Sequence, residues 1–128
     1  MLHASYRTGA RQARDCDDDE ESAALDAKAQ EIEDALIESA REAVGWLEAH
    51  ATYTRTGHHS SQTGEWRDGD GLAAAMFLHH ISRDGDPQLH VHVAIWNRVQ
   101  RADQADDEWR TLDSRTLHTQ RRNHPRLR

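Results

Sequence analysis

The segment from Leu72 to Val99 restricts the possible folds of this chain more than any other part. A mostly apolar run, Leu72–Ile81, is followed by Ser82-Arg83-Asp84-Gly85-Asp86-Pro87, whose Gly, Asp and Pro content specifies a turn. Gln88–Val99 then reads as a strand, and two such runs about a short turn predict an antiparallel hairpin. Side chains alternate across a strand, so His90 and His92 share one face. Val91, Val93 and Ile95 share the other and give it an apolar surface to pack on a helix. With Ile81 opposite Gln88, His79 falls opposite His90, with Cβ atoms about 4.5–5.5 Å apart. Three imidazoles then converge from adjacent strands. In that register His80 lies on the core side, and a one-residue slip would exchange it with His79.

Three neutral imidazoles leave coordination positions open, the arrangement of a catalytic rather than a closed structural ion. Zn, Ni, Co or Mn suit nitrogen donors, and Mg suits the site when phosphate oxygens complete the shell. Spacing alone leaves a second reading open. The chain has ten histidines, and an H-x-H pair on a strand is also compatible with a surface pair that binds nothing.

A helix is predicted over Ser22–His50, because Leu25, Ala29, Ile32, Leu36, Ala40, Ala43 and Leu47 recur at spacings of three and four. The fold class expected is therefore α+β, an antiparallel β-sheet packed on a long helix. Residues 1–21 are polar and run into almost unbroken acid from Asp15 to Glu21, so they read as an acidic, disordered leader. Thr52–Thr56 reads as a strand, His58–Asp70 as a loop or short hairpin around Trp66, and Arg101–Glu108 as an acidic loop. Trp109–Leu112 reads as a short edge strand, Asp113 as an N-cap for a helix from Ser114, and residues 121–128 as an unstructured tail. A partial sheet of this kind would expose a strand edge and favour self-association.

The net charge of −7 hides an uneven distribution. Residues 1–50 hold five Lys/Arg against thirteen Asp/Glu, whereas from Arg115 onward there are five arginines and no acid. A nucleic-acid-facing surface in the later half is compatible with the sequence. The single cysteine, Cys16, excludes an intrachain disulfide. No apolar stretch approaches the roughly 18 residues of a membrane span, so no membrane association is expected and the chain reads as soluble and cytoplasmic.

Phe77 to Gln100 closely resembles the signature of TrwC/TraI-type conjugative relaxases, the HUH endonucleases, roughly F-x-H-x-x-S-R-x-x-D-P-x-L-H-x-H. Phe77, His79, Ser82, Arg83, Asp86, Pro87, Leu89, His90 and His92 meet it without a gap. The stretches WLEAHATYTRTG and WRTLDSRTLH extend the resemblance over about Ala24 to Gln120, so residues 22–120 are expected to form a partial relaxase domain.

The resemblance implies that His79, His90 and His92 hold a divalent cation over the scissile phosphate of single-stranded DNA at a transfer origin. It also implies that a tyrosine attacks, leaving a 5′-phosphotyrosine and a free 3′-OH, and it makes Arg83 and Arg98 candidate phosphate contacts, with a solvated surface role as the alternative for each. Family members place the nucleophilic tyrosine, and an acid that orients one histidine, upstream in a domain about twice this size. Neither segment is matched here, and no residue of this chain is assigned as catalytic. Tyr53 reads as structural, and Tyr6 lies in the leader. The expectation is a relaxase fragment lacking its nucleophile segment, with a separately encoded N-terminal segment as a possible partner. Two other readings stay open: a noncatalytic metal- or single-stranded-DNA-binding remnant, and a phosphodiesterase that uses metal-bound water.

Overall fold

A computed structural model describes residues 1–57, 64–103 and 108–120. The element order is α1 (Leu2–Asp15), α2 (Asp19–Ala51), β1 (Tyr53–Thr56), β2 (Glu65–Asp70), β3 (Ala74–Ile81), β4 (Pro87–Ile95), β5 (Arg98–Arg101), β6 (Arg110–Thr111) and α3 (Ser114–Gln120). Two compact units share these elements. Met1–Ala40 with Met76–Val93 forms one, and Arg41–Ala75 with Ala94–Arg128 forms the other. The architecture is α+β with antiparallel strands, as expected from sequence.

In the first unit, the segment read as a disordered leader is helix α1 followed by the start of α2. Its polar composition misled because α1 docks through small residues and ion pairs rather than an apolar stripe. Ala10 and Ala13 are buried, and Gly9 lies where an added methyl would sit 3.1 Å from the Leu25 side chain. Arg7 and Arg14 both bond Asp26 of α2, at 2.9 and 2.7 Å.

The turn between the helices uses the acids that looked like a solvated run. Asp17 adopts a left-handed φ of 57°, a conformation that short polar side chains tolerate. The Asp18 N–H bonds the Ala13 carbonyl and the Asp17 N–H bonds that of Arg14, closing α1. The Asp18 carboxylate then accepts the Glu21 N–H at 3.0 Å and caps α2. Every residue of the predicted α2 stripe is buried or half-buried, and the helix exceeds the predicted range by three residues at its start and one at its end.

Strands β3 and β4 pair as a two-stranded ladder about the predicted turn, which the Ser82 N–H closes onto the Asp86 carbonyl at 2.8 Å. The expected continuous strand to Val99 is interrupted at Trp96 and Asn97, so that β4 ends and β5 begins. Alternation of side chains says nothing about which neighbour a strand pairs with, and here β4 and β5 belong to different ladders.

The second unit holds a four-stranded antiparallel sheet in the order β1-β2-β5-β6. The outer strands also meet. Thr54 bridges Leu112, the Thr54 hydroxyl donates to the Thr111 carbonyl at 2.9 Å, and the Asp113 N–H donates to the Tyr53 carbonyl at 2.8 Å. Among the described residues this sheet therefore closes on itself, whereas the two-stranded β3–β4 ladder has no further strand on either side and keeps the open edge expected of a partial sheet. Leu72, Val99 and Leu112 form its core, with Val44, Leu47, Ile95 and Leu117 packed around them. Asp113 caps α3 as expected, accepting the Arg115 N–H at 3.0 Å.

Gly69 shows how closely the strands approach. A Cβ there would lie 2.9 Å from Thr52 Cγ2 and 3.0 Å from Val99 Cγ2, both in buried residues. Gly69→Ala is therefore expected to destabilise the chain by about 1–3 kcal/mol, as other overpacking changes do. Urea denaturation measures this, and an unchanged midpoint would contradict the close approach. Of the segment read as a loop or short hairpin over His58–Asp70, Glu65–Asp70 forms strand β2; residues 58–63, residues 104–107 of the expected acidic loop Arg101–Glu108 and the tail at 121–128 lie outside the described residues.

Candidate metal centre

The β3–β4 ladder brings His79, His90 and His92 together. Ring centroids are separated by 5.3 Å for His79–His90 and by 4.7 Å for both His79–His92 and His90–His92. One ring nitrogen from each lies within 4.8 Å of the other two. His79 and His92 are exposed and His90 is half-buried, so the cluster opens to solvent.

The tautomer of His90 is set by its neighbour. Its Nδ1–H donates to the Gln88 carbonyl at 2.9 Å, which leaves the lone pair on Nε2. That nitrogen lies 3.0 Å from Nε2 of His92. Two lone pairs at this distance repel unless a proton or a cation lies between them. Metal–nitrogen bonds of about 2.0–2.1 Å allow two ligands on one ion to lie up to about 4.2 Å apart, so the His90–His92 spacing fits a shared cation. The donor set is all nitrogen, which fits borderline divalent ions better than hard ones.

Residues near the trio have a common character. Phe77 and Ile81 stand two positions to either side of His79 on β3 and so share its face. They are 52% and 62% exposed, so the face that carries the trio also carries apolar surface. Arg83 lies exposed in the turn between the two strands. Arg98 is exposed on β5 in the other unit, where its guanidinium approaches the Thr111 hydroxyl at 3.5 Å. A cleft in that unit is lined by Arg55, Asn97, Thr111, Ser114 and Arg115, among others. Arg55 also stacks over Trp66 at 4.8 Å, and Tyr53 meets the same indole edge-on at 6.5 Å. Tyr53 is thus held in an aromatic contact, and Tyr6 lies on α1 with the Lys28 ammonium 5.7 Å from its ring.

Sequence reasoning missed a second cluster in the first unit. Glu33 of α2 is 6% exposed, and its Oε1 accepts three hydrogen bonds: from His3 Nε2 at 2.6 Å, Arg7 at 2.9 Å and His80 Nε2 at 3.1 Å. Burial alone would raise its pKa, but the bonds from Arg7, His3 and His80 outweigh that effect and hold it at about 2. The signal was present in the sequence. Glu33 stands four residues after Ala29 and so interrupts the apolar stripe, where an acid requires buried partners.

A family profile described as TrwC relaxase matches residues 22–125. The chain belongs to the TrwC relaxase family. The multifunctional conjugation protein TraI of Escherichia coli is 49% identical over 43 residues, which are 34% of this chain and 2% of TraI. A solved metal-bound structure of the conjugative relaxase TrwC in complex with oriT DNA has the same fold, with a TM-score of 0.57 and 24% identity. That match covers 81% of this chain and 33% of the other, so this chain spans a third or less of either relative. Helix α1, with His3 and Arg7, lies before the matched range, whereas Glu33 and His80 lie within it.

Proposed function

We propose that this chain carries the metal-holding part of a conjugative relaxase, in which His79, His90 and His92 bind a divalent cation against a phosphate of single-stranded DNA at a transfer origin. The observation that carries this reading is the convergence of three imidazoles, with the Nε2 lone pair of His90 oriented by the Gln88 carbonyl. Bound there, a cation such as Mn, Mg, Zn, Ni or Co supplies Lewis-acid polarisation of a phosphoryl oxygen. The chain's own residues do the positioning. The ladder presets the imidazoles, so little side-chain freedom is lost on binding. Phe77 and Ile81 offer apolar surface to a splayed base beside the phosphate. Arg83 and Arg98 supply cationic groups for backbone phosphates.

The test uses end-labelled single-stranded DNA carrying a transfer origin, incubated with the protein and Mn2+. Mn2+-dependent binding of the strand, lost in His92→Ala, is the expected result, and an SDS-stable adduct on Tyr6 or Tyr53 would add the nucleophile's role to this chain. Cleavage without an adduct would assign the attack to water and retain the metal role. Absence of both strand cleavage and metal-dependent strand binding would overturn the proposal.

A further inference from the structure

The second histidine cluster differs from the first in composition and position. Neighbouring residues on a strand project to opposite faces. On β3, His79 therefore joins the trio with β4, while His80 points to Glu33 of α2 and His3 of α1. His3 and His80 both direct Nε2 at the same carboxylate oxygen, and their rings lie 5.3 Å apart with a 30° tilt. One donor atom from each of the three residues lies within 4.8 Å of the others.

We infer that His3, Glu33 and His80 form a second metal site, specific to this chain's α1 helix, for a divalent transition ion such as Zn2+, Ni2+ or Co2+. Two imidazoles and one carboxylate are a recurrent donor set for such ions. The nitrogens that now donate to Glu33 become ligands when the ring proton moves to Nδ1, so the side chains keep their directions. Glu33 and His3 are almost fully buried while the His80 side chain is half exposed, leaving one side open for the ion to enter and for water to complete its shell.

Arg7 is the competing cation, because it shares the same carboxylate oxygen. It does not depend on Glu33 alone. Asp26 accepts its other nitrogen at 2.9 Å, so Arg7 keeps an ion pair when Glu33 is taken by a metal. An ion in this position would tie α1, α2 and β3 together. Its role would be structural, adding its binding free energy to the stability of the folded unit.

Calorimetric titration of the full chain with Zn2+ tests the inference. The expected result is two ions per chain. His3→Ala and His80→Ala each remove one, and His92→Ala removes the other. Arg7→Gln is expected to tighten the His3–Glu33–His80 site roughly tenfold, since a cation beside the ion is removed. Uptake at that site that weakens in Arg7→Gln would overturn the proposal. Circular dichroism on each variant separates loss of ligand from loss of fold, and the half-exposed His80 carries the test if His3→Ala does not fold. A single ion lost in His92→Ala but retained in both His3→Ala and His80→Ala would overturn this inference and leave the proposed function standing. A single ion with the reverse dependence would support it and remove the proposed function's metal.

Discussion

Replacing His92 by alanine is expected to weaken divalent-metal binding at the imidazole trio by at least about a hundredfold, while leaving the fold intact. The side chain is exposed and faces the other two rings, so its loss opens no cavity. Surface changes of this kind cost within about 0.5 kcal/mol. Metal affinity responds differently, because two imidazoles hold a borderline ion far less well than three and the His90 Nε2 lone pair loses its partner at 3.0 Å. Titration with Co2+, followed by its visible absorption and made in a His80→Ala background that removes the second site, reads affinity, and thermal melting in EDTA reads the fold. Unchanged affinity with an unchanged melt would show that the three rings do not share an ion.

The second large effect concerns Glu33. Its folded pKa of about 2 lies below the ordinary 4.5, so its stabilising contribution is fully present above about pH 4.5 and is lost as pH falls towards 2. The shift corresponds to a contribution on the order of 3 kcal/mol. Asp26 is also depressed, by its bond to Arg14 first and, after the opposing effect of burial, by Arg7, so it acts in the same direction. Glu33→Ala at pH 7 leaves His3 and Arg7 without their shared buried partner, and a loss of about 3–5 kcal/mol is expected. Glu33→Gln is expected to lose much of the stability at pH 7 and to flatten the fall between pH 4.5 and 2. Denaturant unfolding in EDTA at pH 7, 4 and 3 checks both points. An acid dependence in Glu33→Gln equal to that of the unaltered chain would place the titration elsewhere.

The parts legible in the sequence were those with a strong local period or a dense motif. The α2 stripe, the turn at Ser82–Pro87 and the Asp113 cap can each be read from a few neighbouring residues, and the structure places them as expected. The convergence of His79, His90 and His92 followed from alternation and an assumed register. What could not be read depends on partners distant in sequence. Helix α1 looked disordered because Arg7, Arg14 and His3 find their carboxylate partners in Asp26 and Glu33, at least twelve residues away. The interruption at Trp96 was hidden for a similar reason. The Trp96 N–H bonds the Ala73 carbonyl, after which the chain leaves one ladder for another.

The Thr54–Leu112 bridge has a consequence for behaviour at high concentration. Because first and last strands of the four-stranded sheet engage each other, their amides and carbonyls are not left as a template onto which another molecule can zip. Fibril growth by stacking of this unit would first require that seam to open. Any tendency of this unit to polymerise should therefore track its own unfolding, whereas the two-stranded β3–β4 ladder, among the described residues, keeps open edges in the folded form.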